Sequence, residues 1–175
     1  MPRRLESVTA IGRKIGLDDE KGAAVAVFIA LIVVSCTVAV YYGFYGPKPE
    51  PYNAISLLDA NGKAVDYPEV LVANQNSTFS VYVQVGNHLN HNQNYQVLVK
   101  ITQNLPASIP DGLQVAPVNT VDLAVKDGET QQSLVTVTEN QVGSYAVVFE
   151  LWQQDIPGSY FFTQDYCVLN IQVIN

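Results

Sequence analysis

The sequence predicts a mainly β protein: an immunoglobulin-like β-sandwich tethered by one N-terminal transmembrane α-helix. Three observations carry that expectation. Residues 22–42, GAAVAVFIALIVVSCTVAVYY, are 21 positions without a charge, a proline or an amide side chain. Beyond residue 52 apolar and polar positions alternate, as in Phe79, Val81, Val83 and Val85 interleaved with Ser80, Tyr82 and Gln84. Turns rich in Gly, Asn, Asp and Pro separate seven to nine such short runs, and none has a helical period.

The chain divides into a cytoplasmic tail (1–21), a transmembrane helix (22–45), a Pro-rich linker (46–52) and an extracytoplasmic β domain (53–175). In the tail, Leu5, Val8, Ile11 and Ile15 recur at helical spacing among Arg3, Arg4, Arg13 and Lys14. That pattern suits either an amphipathic helix on the inner membrane face or a frayed basic tail that only fixes topology. Asp18 is placed to cap the membrane helix.

The apolar run extends about 32 Å as a helix, enough to cross a hydrocarbon core. It is longer than a secretory signal core and ends in Tyr41, Tyr42, Phe44 and Tyr45, an interfacial aromatic belt, so a retained signal anchor is expected. Five basic residues precede the span while Lys48 alone follows closely, which puts the N-terminus in the cytoplasm at the cell membrane. Gly22, Ala26 and Ala30, and again Ser35, Ala39 and Gly43, place small residues at every fourth position, a spacing that suits packing against another helix. Frequent Ala and Gly in membrane helices is the plainer explanation. Alternating Pro47, Pro49 and Pro51 then favour an extended spacer.

In the outer domain, Asn61-Gly62 closes the first strand (54–58), and further strands fall around 70–73, 79–85, 97–101, 121–125, 134–137, 145–151 and 167–173. The irregular stretch 105–117, with three prolines, is expected to cross from one sheet to the other. From residue 43 on, four basic residues face twelve acidic ones, a net of −8. Such a surface argues against nucleic acid, whose phosphates need clustered Arg and Lys. Cys36 and Cys167 lie in different parts of the chain and neither belongs to a metal pair.

The runs LLDANGKAVDYPEVL, FSVYVQVGNH, NYQVLVKI, FELW and VLNIQV resemble the outer domain of an archaeal family, domain of unknown function sixteen-sixteen. The shared features are an NGK turn, the Tyr67-Pro68 pair and Asn87-His88 at a strand end. The resemblance implies a membrane-tethered immunoglobulin-like module without assigned chemistry and supplies no catalytic residue. A second resemblance competes: Lys21-Gly22-Ala23-Ala24 is similar to the processing site of archaeal pilins and archaellins, cut after the glycine. There the apolar helix packs in a filament core. The linker and the tyrosine belt favour the anchor.

Little in the domain points to chemistry. His88 and His91 are weak candidates for a metal pair, three apart among amides and with no acidic neighbour in sequence, and solvation is their ordinary fate. Asp59-x-Asn61-Gly62 resembles the start of a calcium loop but has Val70 where the terminal Glu belongs, so a turn is expected. Asn76-Ser77-Thr78 is a glycosylation sequon in an outward polar turn. Trp152, Tyr145, Tyr160, Phe161, Phe162 and Tyr166 are expected to fill the core rather than form an interaction surface at the Pro157-Gly158 tip. No nucleophile, phosphate-loop or dinucleotide motif is present, so neither an enzyme nor a cofactor is expected. The partners expected are the lipid bilayer and other membrane or cell-surface subunits, or the chain itself.

Overall fold

The computed structural model describes residues 20–46 and 50–175, and the chain divides between Glu50 and Pro51 into two units. The expected tail helix, the Asp18 cap and Pro47, Lys48 and Pro49 of the spacer lie outside the described residues. The first unit holds helix α1 (Glu20–Tyr45), whose stretch Gly22–Tyr45 has a mean hydropathy of 2.8. Thr37, polar within this run, turns its hydroxyl back to the Val33 carbonyl at 2.8 Å, the local bond that satisfies such a group in apolar surroundings.

The second unit is a two-sheet sandwich of eight strands: β1 (Tyr52–Leu58), β2 (Val70–Val72), β3 (Thr78–His88), β4 (Gln93–Thr102), β5 (Asn119–Val125), β6 (Thr130–Thr138), β7 (Gly143–Ile156) and β8 (Ser159–Ile174). One sheet has the order β1-β3-β6 and the other β2-β8-β7-β4-β5. All neighbours are antiparallel except β2 and β8. The chain changes sheets between β1 and β2, β2 and β3, β3 and β4, β5 and β6, and β6 and β7, the Greek-key wiring of an immunoglobulin-like sandwich.

The alternation in the sequence sets which side chains meet. Val81, Val83 and Val85 of β3 and Val135 and Val137 of β6 face Val97 and Val99 of β4 and Val147, Phe149 and Leu151 of β7. All are almost fully buried, which excludes water from the space between the sheets. Strand β6 runs longer than its apolar half because the polar segment TQQS keeps the ladder register with β3, Thr130 pairing Gly86. Backbone pairing needs no apolar side chain.

Two expectations are corrected. Residues 105–117 do not cross between sheets. Strands β4 and β5 pair side by side, Tyr95 opposite Leu123, and the connection folds back over the outer face of their own sheet. Nor do the aromatics fill the core together. Tyr145 does, but Trp152 and Phe162 meet on the outer face with ring centroids 5.6 Å apart and planes tilted by 37°, and Phe161 and Tyr166 stay largely exposed. On β7 the inward set is Tyr145, Val147, Phe149 and Leu151, and strand pleating sends Trp152 the other way.

Candidate functional site

Two surfaces differ from an ordinary sandwich exterior, and both belong to sheet faces. On the five-stranded sheet, strap 103–118 covers Ala146 and Val148 with Ile109 and Leu113, making a second small core. Beneath it lie Lys100 of β4 and Glu150 of β7, their Nζ and Oε2 atoms 2.7 Å apart and both side chains buried. The lysine also donates to the Leu113 carbonyl at 2.7 Å. Glu150 accepts from the Leu113 backbone N–H through Oε1, and from Trp152 Nε1 through Oε2 at 2.9 Å. The Trp152 ring lies 5.7 Å from the ammonium. Leu113 is thus clamped through both its backbone groups, and both carboxylate oxygens are occupied. Gly112 makes the approach sterically feasible: its φ is +78°, and a Cβ there would stand 3.0 Å from Trp152 and 3.1 Å from Glu150 Oε2. With both carboxylate oxygens engaged and the lysine bonded to Glu150 and Leu113, the arrangement holds the strap against the sheet.

Reading the sequence for catalytic motifs missed this pair. The signal was present, a lone lysine in YQVLVKIT and a lone glutamate in VVFELW, each a charge in an otherwise apolar strand. For Asn87, one of the strand-end pair noted in the sequence, only the bonding role was missed. Fully buried, it donates to the carbonyls of His91 (2.8 Å) and Val125 (2.9 Å) and accepts from the Leu89 N–H (3.1 Å). Its own backbone bonds Gly128 and Glu129, so one residue ties the β3–β4 loop to the β5–β6 turn.

The three-stranded sheet has a bare outer face. Leu58, Tyr82 and Leu134 form one cross-strand row, and Ser56, Gln84 and Gln132 the next. Hydroxyl pairs join Thr78 to Thr138 and Ser80 to Thr136, each at 2.8 Å. No Asp, Glu, Lys or Arg stands at an outward position of β1, β3 or β6.

The family model described as Domain of unknown function (DUF1616) matches residues 47–173. The chain belongs to this family. Among solved structures, the DUF1616 domain is similar to the CARDB domain of the PF1109 protein from Pyrococcus furiosus, crystallised in complex with di-metal ions. The two are 14% identical with a TM-score of 0.47, over 73% of this chain and 96% of that one. The C-terminal domain of wzt matches at 14% identity and a TM-score of 0.41, over 78% of this chain and 85% of that one. A beta-glucosidase from Listeria innocua in complex with glucose matches at 15% identity and 0.42, over 70% of this chain and 16% of that one. No curated protein matches.

The expected site residues of the DUF1616 chain scatter. His88 stacks on Tyr52 with ring centroids 4.5 Å apart. His91 instead sits in the following turn, its ring nitrogens against the Leu89 carbonyl and Gln93 Oε1. Among the described residues no three His, Cys, Asp or Glu side chains cluster as a metal site. Asp59 accepts from the backbone N–H groups of Asn61 and Lys63, a local turn. The Lys63 bond foremost holds the Asp59 carboxyl below the usual carboxylate range. Asn76 is exposed in the turn between β2 and β3, where its backbone pairs with Val72. Cys167 donates from its Sγ to the Ile55 carbonyl, and burial pushes its thiol up. Tyr95 is pushed up to about 12 by burial and donates to Asn53 Oδ1.

On α1 the two rows of small residues occupy different faces. Gly22 and Ser35 are thirteen positions apart, about 220° around the helix, so no single neighbour packs along both rows.

Proposed function

We propose that this chain is a single-pass membrane accessory or structural subunit, its N-terminus cytoplasmic and its immunoglobulin-like domain extracytoplasmic, acting through protein–protein contacts in a membrane or cell-surface assembly and catalysing no reaction of its own. One observation carries the reading. Gly22–Tyr45 is a helix of 24 residues with a mean hydropathy of 2.8, long and apolar enough to cross a hydrocarbon core. Five basic residues before the span and the exposed Tyr41, Tyr42, Phe44 and Tyr45 at its far end support the orientation. The clamped strap supports a structural role, because its buried groups are spent on one another. The decisive experiment adds a protease to intact cells. The β domain is expected to be digested from outside, and protection until lysis overturns the reading. Replacing Ala26 and Ala30 by Leu is expected to reduce co-purification with membrane partners, and unchanged co-purification rules out docking through that face.

The second reading is a pilin-like filament subunit processed after Gly22. Small-residue rows on two faces of α1 favour it, since a helix in a filament core packs against several neighbours. Intact-mass analysis separates the two, the pilin reading requiring a mature chain that begins at Ala23.

A further inference from the structure

The chain holds a single N-x-S/T tripeptide, Asn76-Ser77-Thr78, with no proline in it, and the fold sets it in the turn that leads from β2 into β3. Asn74, Gln75 and Asn76 are all exposed, and the Asn76 side-chain amide has no hydrogen-bond partner among the described residues. The groups around that amide are engaged. Asn76 donates its N–H to the Val72 carbonyl at 2.9 Å and accepts from the Val72 N–H at 3.0 Å. The Ser77 carbonyl accepts from the Glu139 N–H at 3.0 Å. Two residues beyond Asn76, the Thr78 hydroxyl shares its 2.8 Å bond with that of Thr138, and the outward row continues through Ser80 and Thr136. The acceptor amide is therefore open to solvent, while the hydroxyl that belongs to the same tripeptide is held by the sheet.

We propose that Asn76 carries an N-linked glycan, and that the glycan is attached before β3 pairs with β6. The amide nitrogen is exposed, unpaired and rooted in a turn, so a saccharide there displaces no packed side chain. Thr78 supplies the hydroxyl that the tripeptide requires at its third position. The co-reactant is an oligosaccharide linked through its anomeric carbon to a lipid phosphate, brought together with the chain by a membrane transferase. A bond forms between Asn76 Nδ2 and that carbon as the bond from the carbon to the phosphate oxygen breaks. The nitrogen gives up one proton, and the lipid carrier leaves with its free phosphate. Such transfer needs the tripeptide as an unpaired, extended segment with its hydroxyl free for the enzyme. In the folded domain Thr138 holds that hydroxyl, and Val72 and Glu139 hold the backbone. Transfer therefore belongs to the chain before strand pairing, and folding then leaves the modified side chain in solvent. Donor and transferase act on the outer side of the membrane, so the glycan rests on the extracytoplasmic placement proposed above.

The test is mass spectrometry of the full chain purified from the membranes of the cells that make it, read on tryptic peptide 64–100, which lies between the cleavages after Lys63 and Lys100. The peptide is expected to exceed its sequence mass by a sum of monosaccharide residues, with fragment ions placing the excess on Asn76. Asn76→Gln and Thr78→Ala are each expected to remove the excess with circular dichroism unchanged, and Thr78→Ser, which keeps the hydroxyl, is expected to retain it. In pulse-chase labelling the modified fraction is expected to be constant from the first time point. A native peptide at sequence mass overturns the proposal, as does an excess that survives Asn76→Gln or Thr78→Ala, or one that is lost in Thr78→Ser. A modified fraction that climbs through the chase overturns attachment before strand pairing. External protease on the same intact cells reports the membrane reading separately: a domain digested from outside whose peptide sits at sequence mass sinks the glycan alone.

Discussion

The five-stranded sheet carries strap 103–118 over its outer face, whereas the three-stranded sheet leaves its own face bare, and the charges divide accordingly. Lys100 and Glu150 are tolerated on the covered face because the strap supplies Leu113 and Trp152 supplies its indole N–H, satisfying what burial strips of water. On the bare face such charges would simply be solvated, yet that face has none. The difference shows that buried charge occurs here where a covering element supplies its partners. A buried pair locks the strap, while the other side carries an uncharged Thr/Ser/Gln surface.

The comparison breaks most readily at Glu150. Replacing it by alanine leaves a buried ammonium unpaired and frees Leu113, an expected loss of about 3–5 kcal/mol in denaturant unfolding of the domain. Lys100→Met with Glu150→Leu is expected to recover only part of this, because the Leu113 N–H and C=O stay without partners. Next comes Asn87→Ala, which strips partners from two carbonyls and one N–H and is expected to cost about 2–4 kcal/mol, with faster hydrogen exchange confined to the loops it joins. Tyr67→Phe uncaps the β1 edge at Leu57 and is expected to cost about 1 kcal/mol by the same measurement. On the bare face, Thr78→Ala is expected to shift stability by less than about 0.5 kcal/mol, since its hydroxyl pair is exposed. A large loss there would show that the open face is as structural as the covered one.

Acid provides a separate handle. The folded-state pKa of Asp59 lies below its ordinary value, so its contribution is complete above the unfolded value of about 3.9 and disappears as pH falls through the folded one. Asp59→Asn is expected to flatten that part of the acid-unfolding curve, seen as a smaller change in urea midpoint between about pH 5 and 2. At the end of this scale, Tyr145→Phe is expected to cost nothing. Its hydroxyl is buried with no partner among the described residues, so removing it leaves nothing behind unsatisfied.

The sequence by itself determined what depends on near neighbours along the chain. The apolar length of Gly22–Tyr45, the inward Val81, Val83 and Val85, the Asn61-Gly62 turn and the Pro157-Gly158 hairpin follow from periodicity and backbone preference. Tertiary structure decided what depends on residues far apart. Lys100 and Glu150 are fifty positions apart, and nothing local to either announces the other. Whether 105–117 bridges two sheets or folds back on one depended on β5 pairing with β4, a choice of neighbour that alternation cannot encode. The aromatic placements followed the same logic. Pleating fixes that Trp152 opposes Leu151, but only the strap makes its side of the sheet an interior. Periodicity specifies a face, and burial of that face requires a second element brought to it through space.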